Sequence, residues 1–376
     1  MHAQEMRVAL ITNTISSPGG AEYLTIAMYI SLGEIKGLRI DVLGREKNLN
    51  INVLNKWIGP KVTHELSKHY VHIREFPLNT LRLKDYDLVI NTRSNEVLAP
   101  AHIHYLHWIF SPYGVKNPEV LAYYKESYGI NSRSVRYLAR HVLHYLQLKV
   151  SRLVLANSRY VANLLKDLDV NAAVLHPPVR SEEIVRYTWS SKWSNRRRIV
   201  VTITRIAPGK QLETLPLIAA KVKSVKFVLA GSLQDENYYA KLLRLKKALD
   251  VDNFVVVPNV SRHELYELLG NALIYLHTAR HEQFGIAVAE AMAAGTIPIV
   301  HRSGGPWHDL LDKEEGLYGL SYSTTEEASE KIRDVVDNPH RYMEISERAR
   351  LRALAFDEQV FKARFRKVVE RLLGCI

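Results

Sequence analysis

The sequence predicts an α/β protein made of two doubly wound, Rossmann-like domains that face each other across a cleft. Three observations predict it. Short apolar runs alternate with helical patterns in two successive blocks, which implies parallel sheets covered by helices on both faces. A polar stretch without a clear period separates the blocks. The chain has 376 residues, 47% hydrophobic and 24% charged, enough apolar material for two cores and too little charge bias for disorder.

The first block opens with the strand RVALIT. SSPGGAE follows, where Gly19 and Gly20 form a flexible turn before a helix and let phosphate or a sugar ring approach backbone. RIDVLG, DLVIN and RLVLANS continue the alternation to about Val179. Between them lies HIHYLHW, in which His102, His104 and His107 have the spacing His-x-His-x2-His. That spacing raises a metal site. In an extended strand, however, His102 and His104 share one face while His107 falls on the other, so no metal is expected.

From Asn131 to Arg152 the sequence NSRSVRYLARHVLHYLQLKVSR holds five Arg/Lys and no acid. Val135, Leu138, Val142, Leu146 and Val150 recur at helical spacing, with Arg136, Arg140 and His144 on another face. Two readings stand side by side. One is a basic amphipathic helix on an anionic membrane surface, with Arg133, Arg136 and Arg140 as its contacts. The other is an ordinary packed helix with a solvated face.

RSEEIVRYTWSSKWSNRRR reads as a linker over 181–197. Alternation resumes with IVVTITR, VKFVLAGS, NFVVVPNV, ALIYLHTA and TIPIVHR. The expected division is therefore an N-terminal domain over 1–180, a linker, a C-terminal domain over 198–356, and a final helix over 357–376 returning to the N-terminal domain.

The formal net charge of +12 favours anionic partners. Nucleic acid is not expected, because no recognition motif or aromatic-studded basic stripe is present. Cys375 is the only cysteine, so no intramolecular disulfide forms and a reducing compartment is expected. MHAQEMRVALIT lacks the long apolar stretch of a signal peptide, and no apolar run approaches the ~18 residues that span a bilayer. The expectation is a cytoplasmic protein, soluble or peripheral.

HEQFGIAVAEAMAAG, residues 281–295, carries the most chemistry. A helix beginning near Phe284 or Gly285 presents unpaired N–H groups and a positive dipole end, which attract phosphate. Gly285 lets a ligand close to that backbone. Glu282 outside the turn and Glu290 two turns in can each accept hydrogen bonds from hydroxyls of a sugar or ribose. The alternative is that Glu282 caps the helix and Glu290 is a solvated helix residue. His281 is either a ligand or a rim residue, and the rim is expected. Upstream, VTITRIAPGK puts Arg205 and Lys210 after the first strand of the second block, where two cations suit a diphosphate.

The set SSPGGAE, HYLHW, NSRYV, HPPV, TRIAPGK, LAGS and HEQFGIAVAEAMAAG, in order along nearly the whole chain, resembles the family-4 retaining glycosyltransferases of GT-B fold. NVSRHELYELL, LHTARHEQFGI and IPIVHRSGGP are most similar to the eukaryotic and archaeal α-1,2-mannosyltransferases that act on lipid-linked oligosaccharides. The resemblance implies that Arg205 and Lys210 hold the donor diphosphate, that Glu282 grips donor-sugar hydroxyls, and that the backbone of Phe284, Gly285 and Ile286 meets phosphate and sugar. It implies Glu290 on the ribose, Pro258 to Val260 on the base, Gly19 and Gly20 along the diphosphate, and His107 in the active site. The first domain is then the acceptor side.

A double displacement needs a carboxylate behind the anomeric carbon. The resemblance assigns both glutamates to hydroxyl binding, so it implies a same-face substitution in which the leaving phosphate helps deprotonate the acceptor. It implies no cofactor and no metal, a nucleotide-sugar co-substrate with GDP-mannose favoured over a UDP-sugar, and a lipid-linked saccharide or other glycan acceptor at the cytoplasmic face of a membrane. Rivals are a UDP-sugar transferase, a nucleotide-sugar epimerase, a pyridoxal-phosphate phosphorylase and a non-catalytic sugar binder. Arg280 and Gln283, flanking Glu282, depart from the eukaryotic pattern and leave sugar selectivity open.

Overall fold

The computed structural model describes residues 5–16, 19–73, 80–93, 101–109, 115–128, 135–189 and 193–374. The chain divides into two compact units, Met1–Pro178 with Glu358–Ile376, and Val179–Asp357.

The first unit contains β1 (Met6–Ile11), β2 (Leu38–Gly44), β3 (Tyr70–His72), β4 (Leu88–Asn91), β5 (Ile103–Leu106), β6 (Leu153–Ala156) and β7 (Ala173–Val174). They form one parallel sheet in the order β3-β2-β1-β4-β5-β6-β7. β1 is central, so both its faces are covered. Val8 and Leu10 pack with Leu24 and Met28 of the helix Gly20–Gly33, while Ala9 and Ile11 pack with Leu43, Ile73 and Val89. This explains why RVALIT is a continuous apolar run rather than an alternating one.

The helix Glu358–Leu373 belongs to this unit. Phe361, Phe365 and Val369, one helical face, are buried in the same core as Leu24 and Met28. The two phenyl rings stack at 6.0 Å, Ser31 Oγ donates to the Lys362 carbonyl at 2.8 Å, and Arg366 pairs with Glu34.

The second unit contains β8 (Arg197–Ile203), β9 (Lys226–Gly231), β10 (Phe254–Pro258), β11 (Ala272–His277), β12 (Ile297–His301) and β13 (Leu320–Tyr322). This sheet is also parallel, in the order β10-β9-β8-β11-β12-β13. Each sheet reverses its strand order once, between β1 and β4 and between β8 and β11, which is the doubly wound pattern.

Two expectations need correction. Residues 181–197 are not a free linker. Ser181–Thr188 is a helix with Ser181, Ile184 and Thr188 buried. Its apolar period is hidden because two of its inward residues are hydroxyls that bond backbone: Ser181 Oγ to the Ala353 carbonyl and Thr188 Oγ1 to that of Ile184, both at 2.8 Å. Arg196, one of the three consecutive arginines in the polar run, donates to the carbonyls of Leu269 (3.1 Å), Ala272 (2.6 Å) and Ala294, so it satisfies helix-end groups.

The second correction concerns the reading of the basic segment as an ordinary packed helix. Val135–Lys149 is helical, but its apolar stripe is not the packed face. Leu138, Val142, Leu146 and Val150 are exposed, and His144, on another face of the helix, is buried. Arg140 is exposed; Arg133 and the side chain of Arg136 lie outside the described residues. Among the described residues no helix is long and apolar enough to cross a membrane.

Phe365→Ala should destabilise the first unit by ~3–5 kcal/mol, since a fully buried ring is lost from a packed core. Urea denaturation followed by tryptophan fluorescence checks it. A change under about 1 kcal/mol would show that the last helix contributes little to this core.

Candidate active site at the switch point of the second unit

β8 ends at Ile203 and β11 at His277, and from these neighbours the strand order runs in opposite directions. Their carboxyl ends therefore border the crevice where doubly wound sheets receive ligands. The loop after β8 turns through Pro208–Lys210 and reaches Gln211 at φ 52°. It is tied to the loop after β11: Thr278 Oγ1 donates to the Lys210 carbonyl at 2.8 Å, and the Arg280 N–H donates to Gln211 Oε1 at 2.9 Å.

These ties bring two predicted residues together. Lys210 forms an ion pair with Glu282, and His277 Nε2 lies 3.8 Å from the same carboxylate oxygen. The Glu282 side chain is only 13% exposed. Burial alone would raise its pKa, but the charge of Lys210 and the hydrogen bond and charge of His277 outweigh it and hold the carboxyl well below the usual range. Glu282 is thus a largely buried carboxylate whose ionised form is favoured by Lys210 and His277. Arg205 stands apart from that pair, exposed, with Nη1 3.3 Å from Gln234 Oε1.

Backbone contact holds the Glu282 loop in place. The Gly305 N–H donates to the Glu282 carbonyl at 2.7 Å. A Cβ on Gly304 would lie 2.4 Å from that carbonyl oxygen, and one on Gly305 2.2 Å from the Gln283 carbonyl oxygen. The segment after β12 can approach this closely only without side chains. His281 is buried with φ 51°, and its N–H donates to Ser303 Oγ at 3.0 Å. It is a backbone pivot inside the loop rather than the rim residue expected. Ser303 Oγ also meets His301 Nδ1 at 2.8 Å, and burial, reinforced by neighbouring Arg280 and His281, brings that imidazole down to about 4.

Gly285 caps the helix Ile286–Ala293 with φ 92°, and no side chain closes that end. The left-handed conformation and the contact a Cβ would make with Pro306 Cγ, 2.8 Å away, both require glycine. Phe284 is buried, edge-on to Phe356 at 5.4 Å, and anchors the turn. The amide end of the helix is available to an anion.

Glu290 lies on this helix among a second set of charges. Burial raises its carboxyl, opposed by Arg262 and Arg180, while Glu183 adds to the rise. The surrounding network runs from Arg262 Nη1 to the Tyr266 hydroxyl (3.2 Å), from that hydroxyl to Glu183 Oε1 (3.2 Å), and from Arg180 Nη1 to Glu183 Oε2 (3.5 Å). Glu290 is half-buried, with Arg262, Arg180 and Glu183 as its charged neighbours. Val260 follows β10, next to Asn259 at φ 58°, whose Oδ1 accepts from the Leu233 N–H at 3.0 Å. Gly231 ends β9, where a Cβ would sit 1.9 Å from the Thr204 carbonyl oxygen.

The remaining predicted residues are in the first unit. Gly19 precedes the helix Gly20–Gly33 at the carboxyl end of β1. His107 lies just past β5; its carbonyl accepts from Asn157 Nδ2 at 3.0 Å, and burial brings its imidazole to about 4. His102 Nδ1 accepts from the Val89 N–H at 2.9 Å and His104 is buried at about 3, so each has its own structural setting.

Residues 185–352 match the family described as "Glycosyl transferases group 1". That match lies within the second unit and is a likeness to this family. Curated relatives include the "GDP-Man:Man(3)GlcNAc(2)-PP-Dol alpha-1,2-mannosyltransferase" of Dictyostelium discoideum, 28% identical over 60% of this chain and 48% of that protein. The Homo sapiens protein of the same name is 29% identical over 59% of this chain and 49% of its own. The chain spans about half the length of the curated relatives it matches. Among solved structures, Anabaena HepE in complex with UDP and glucose superposes with a TM-score of 0.71 over 97% of this chain and all of that one, at 17% identity. Sucrose-phosphate synthase from Thermosynechococcus elongatus gives 0.69 over 99% and 100%, at 15% identity. The fold is GT-B.

In the second unit, sequence reasoning missed His277, Ser303, Gly304, Gly305, Arg180 and Arg262. The double glycine in HRSGGP was the available signal for the close approach; nothing local marks His277 or Arg262 as neighbours of the glutamates.

Lys210→Met should cost about 1–3 kcal/mol at neutral pH, because Glu282 keeps its charge in a buried setting without its main partner. A carboxylate with a depressed folded pKa contributes stability above its unfolded pKa and loses it as pH falls through the folded value. The gap between wild type and variant should therefore be widest at neutral pH and narrow in acid. Urea titrations over that range test it; a gap that is constant with pH would mean the pair is not what holds the carboxylate.

Proposed function

We propose that this protein is a retaining, metal-independent hexosyltransferase that moves mannose from GDP-mannose to a lipid-linked saccharide at the cytoplasmic face of a membrane. The observation that carries this reading is the ionised Glu282, paired with Lys210 and beside the glycine-capped end of the Ile286–Ala293 helix, at the switch point of a unit similar to the glycosyl transferases group 1 family. The names of the curated relatives support the donor and the acceptor class.

Donor entry changes Lys210's partner. The diphosphate takes up the ammonium together with Arg205 and the amide end of the helix, and Glu282 turns its lone pairs to the sugar hydroxyls. As the glycosidic bond breaks, charge builds on the leaving phosphate, where these cations stabilise it most. The phosphate oxygen accepts the acceptor's proton on the face from which it departs. Glu290 receives the ribose hydroxyls, with Arg262 and Arg180 offsetting its charge, and the backbone at Val260 borders the base. Gly19 and Gly20 keep the role of diphosphate contacts and His107 that of an active-site residue.

The direct test is incubation with GDP-mannose and a dolichyl-diphosphate oligosaccharide, with product linkage read by mass spectrometry and mannosidase digestion. Transfer with retained configuration supports the reading; UDP-glucose as the sole donor used would overturn it. Arg205→Ala or Lys210→Ala should lower turnover by ~10²–10³ in the folded protein.

The two glutamates should separate. Glu290→Ala weakens GDP binding by about 1.5–3 kcal/mol through lost charge-assisted hydrogen bonds, whereas Glu282→Ala leaves GDP affinity nearly intact and slows transfer. Calorimetry with GDP and steady-state kinetics distinguish them, and equal loss of GDP affinity in both would sink this division.

A further inference from the structure

The helix Val135–Lys149 turns its apolar stripe outward. Leu138, Val142, Leu143 and Leu146 are 47, 45, 43 and 50% exposed, and Val150, which continues the helix through its N–H to the Leu146 carbonyl at 3.1 Å, is 80% exposed. At 3.6 residues per turn these five fall within an arc of about 140°. The inward face holds His144, Gln147 and Leu148 instead, all buried, with Leu148 in the core beside Val120, Val154 and Tyr160. The helix is thus anchored without its largest apolar surface. Elsewhere among the described residues, large exposed apolar side chains include Ile51, Trp189, Leu217 and Leu351.

A broad apolar stripe edged by cations is the surface of a helix that lies in the plane of a bilayer. Residues 131–152 carry five Arg/Lys and no acid, and the whole chain is at +12. Arg140 and Arg152 are exposed near the two ends of the stripe; Lys149 shares its charge with Asp169 at 2.5 Å. We propose that this stripe docks the protein on an anionic leaflet, with Leu138, Val142, Leu143, Leu146 and Val150 in the acyl boundary and the flanking cations on lipid headgroups. The inference rests on the proposed function only in placing the acceptor in that same leaflet; docking itself needs no sugar chemistry.

The test is sedimentation of the full chain with vesicles of phosphatidylcholine alone and of phosphatidylcholine mixed with phosphatidylglycerol. Wild type should bind the mixed vesicles, less as salt rises. Leu143→Ser with Leu146→Ser should reduce partitioning at least ~10-fold, at unchanged melting temperature and unchanged GDP-mannose hydrolysis. Arg140→Ala with Arg152→Ala should weaken binding to the mixed vesicles only. Should the double serine variant melt early, Val150→Ser alone must still weaken partitioning. Wild type that ignores mixed vesicles, or a folded serine variant that binds them as wild type does, overturns the proposal. So does a wild-type dimer in sedimentation velocity that the serine variant makes monomeric, with vesicles unbound, since the stripe then pairs two copies. Vesicle binding without any sugar transfer would leave docking standing and count against the proposed function alone.

Discussion

The second unit is organised around one electrostatic requirement: the carboxylate of Glu282 is nearly out of water and must stay charged. Removing an ionised carboxylate from solvent costs several kcal/mol unless cations and donors replace the lost hydration. Lys210 supplies the charge and His277 a second contact. Each arrives from a different strand end, so the pair exists only because β8 and β11 are neighbours although Lys210 and Thr278 are 68 positions apart in the chain. The side-chain-to-backbone ties between Thr278 and Lys210 and between Arg280 and Gln211 hold that neighbourhood at hydrogen-bond tolerance.

The glycines serve the same requirement from the other side. Gly304 and Gly305 let the chain after β12 press against the backbone of 281–284, and Gly285 turns that backbone into the helix in a left-handed conformation. With no Cβ at these points, the amide end of the Ile286–Ala293 helix lies beside the Glu282 loop. A negative side chain and a positive helix end in one turn suit a ligand that carries hydroxyls and phosphate together. Glu290, on the same helix, faces Arg262, Arg180 and Glu183, so the two glutamates eight residues apart sit in different electrostatic surroundings: one held ionised, the other raised by burial.

In the first unit the balance is different. Its central strands and the helices Gly20–Gly33 and Glu358–Leu373 share one apolar core, whereas the helix Val135–Lys149 spends its apolar stripe on the outside and buries His144 and Gln147. An outward stripe of that size costs solubility unless something covers it. Spacing established that the stripe exists; it does not carry the direction in which the stripe points, which depends on which neighbours bury His144 and Leu148.

The sequence by itself determined the architecture. The central strands β1, β4, β8 and β11 are buried on both faces and so read as continuous apolar runs, and Gly285 was legible because a helix start after Phe-Gly is a local backbone event. The short strands β3, β7 and β13 were not legible, since edge strands of two or three residues carry no period. The helix Ser181–Thr188 was missed because its inward positions are hydroxyls satisfied by distant carbonyls, and Arg196 because its acceptors come from two other helices. His281 looked like a rim residue until its loop folded inward. What tertiary structure alone decided is the partnership of charges: Lys210 and His277 with Glu282, Arg262 and Arg180 with Glu290. Propensity and spacing act over one or two turns of chain, whereas the field at a buried carboxylate is set by whichever residues the sheet order brings within a few ångströms.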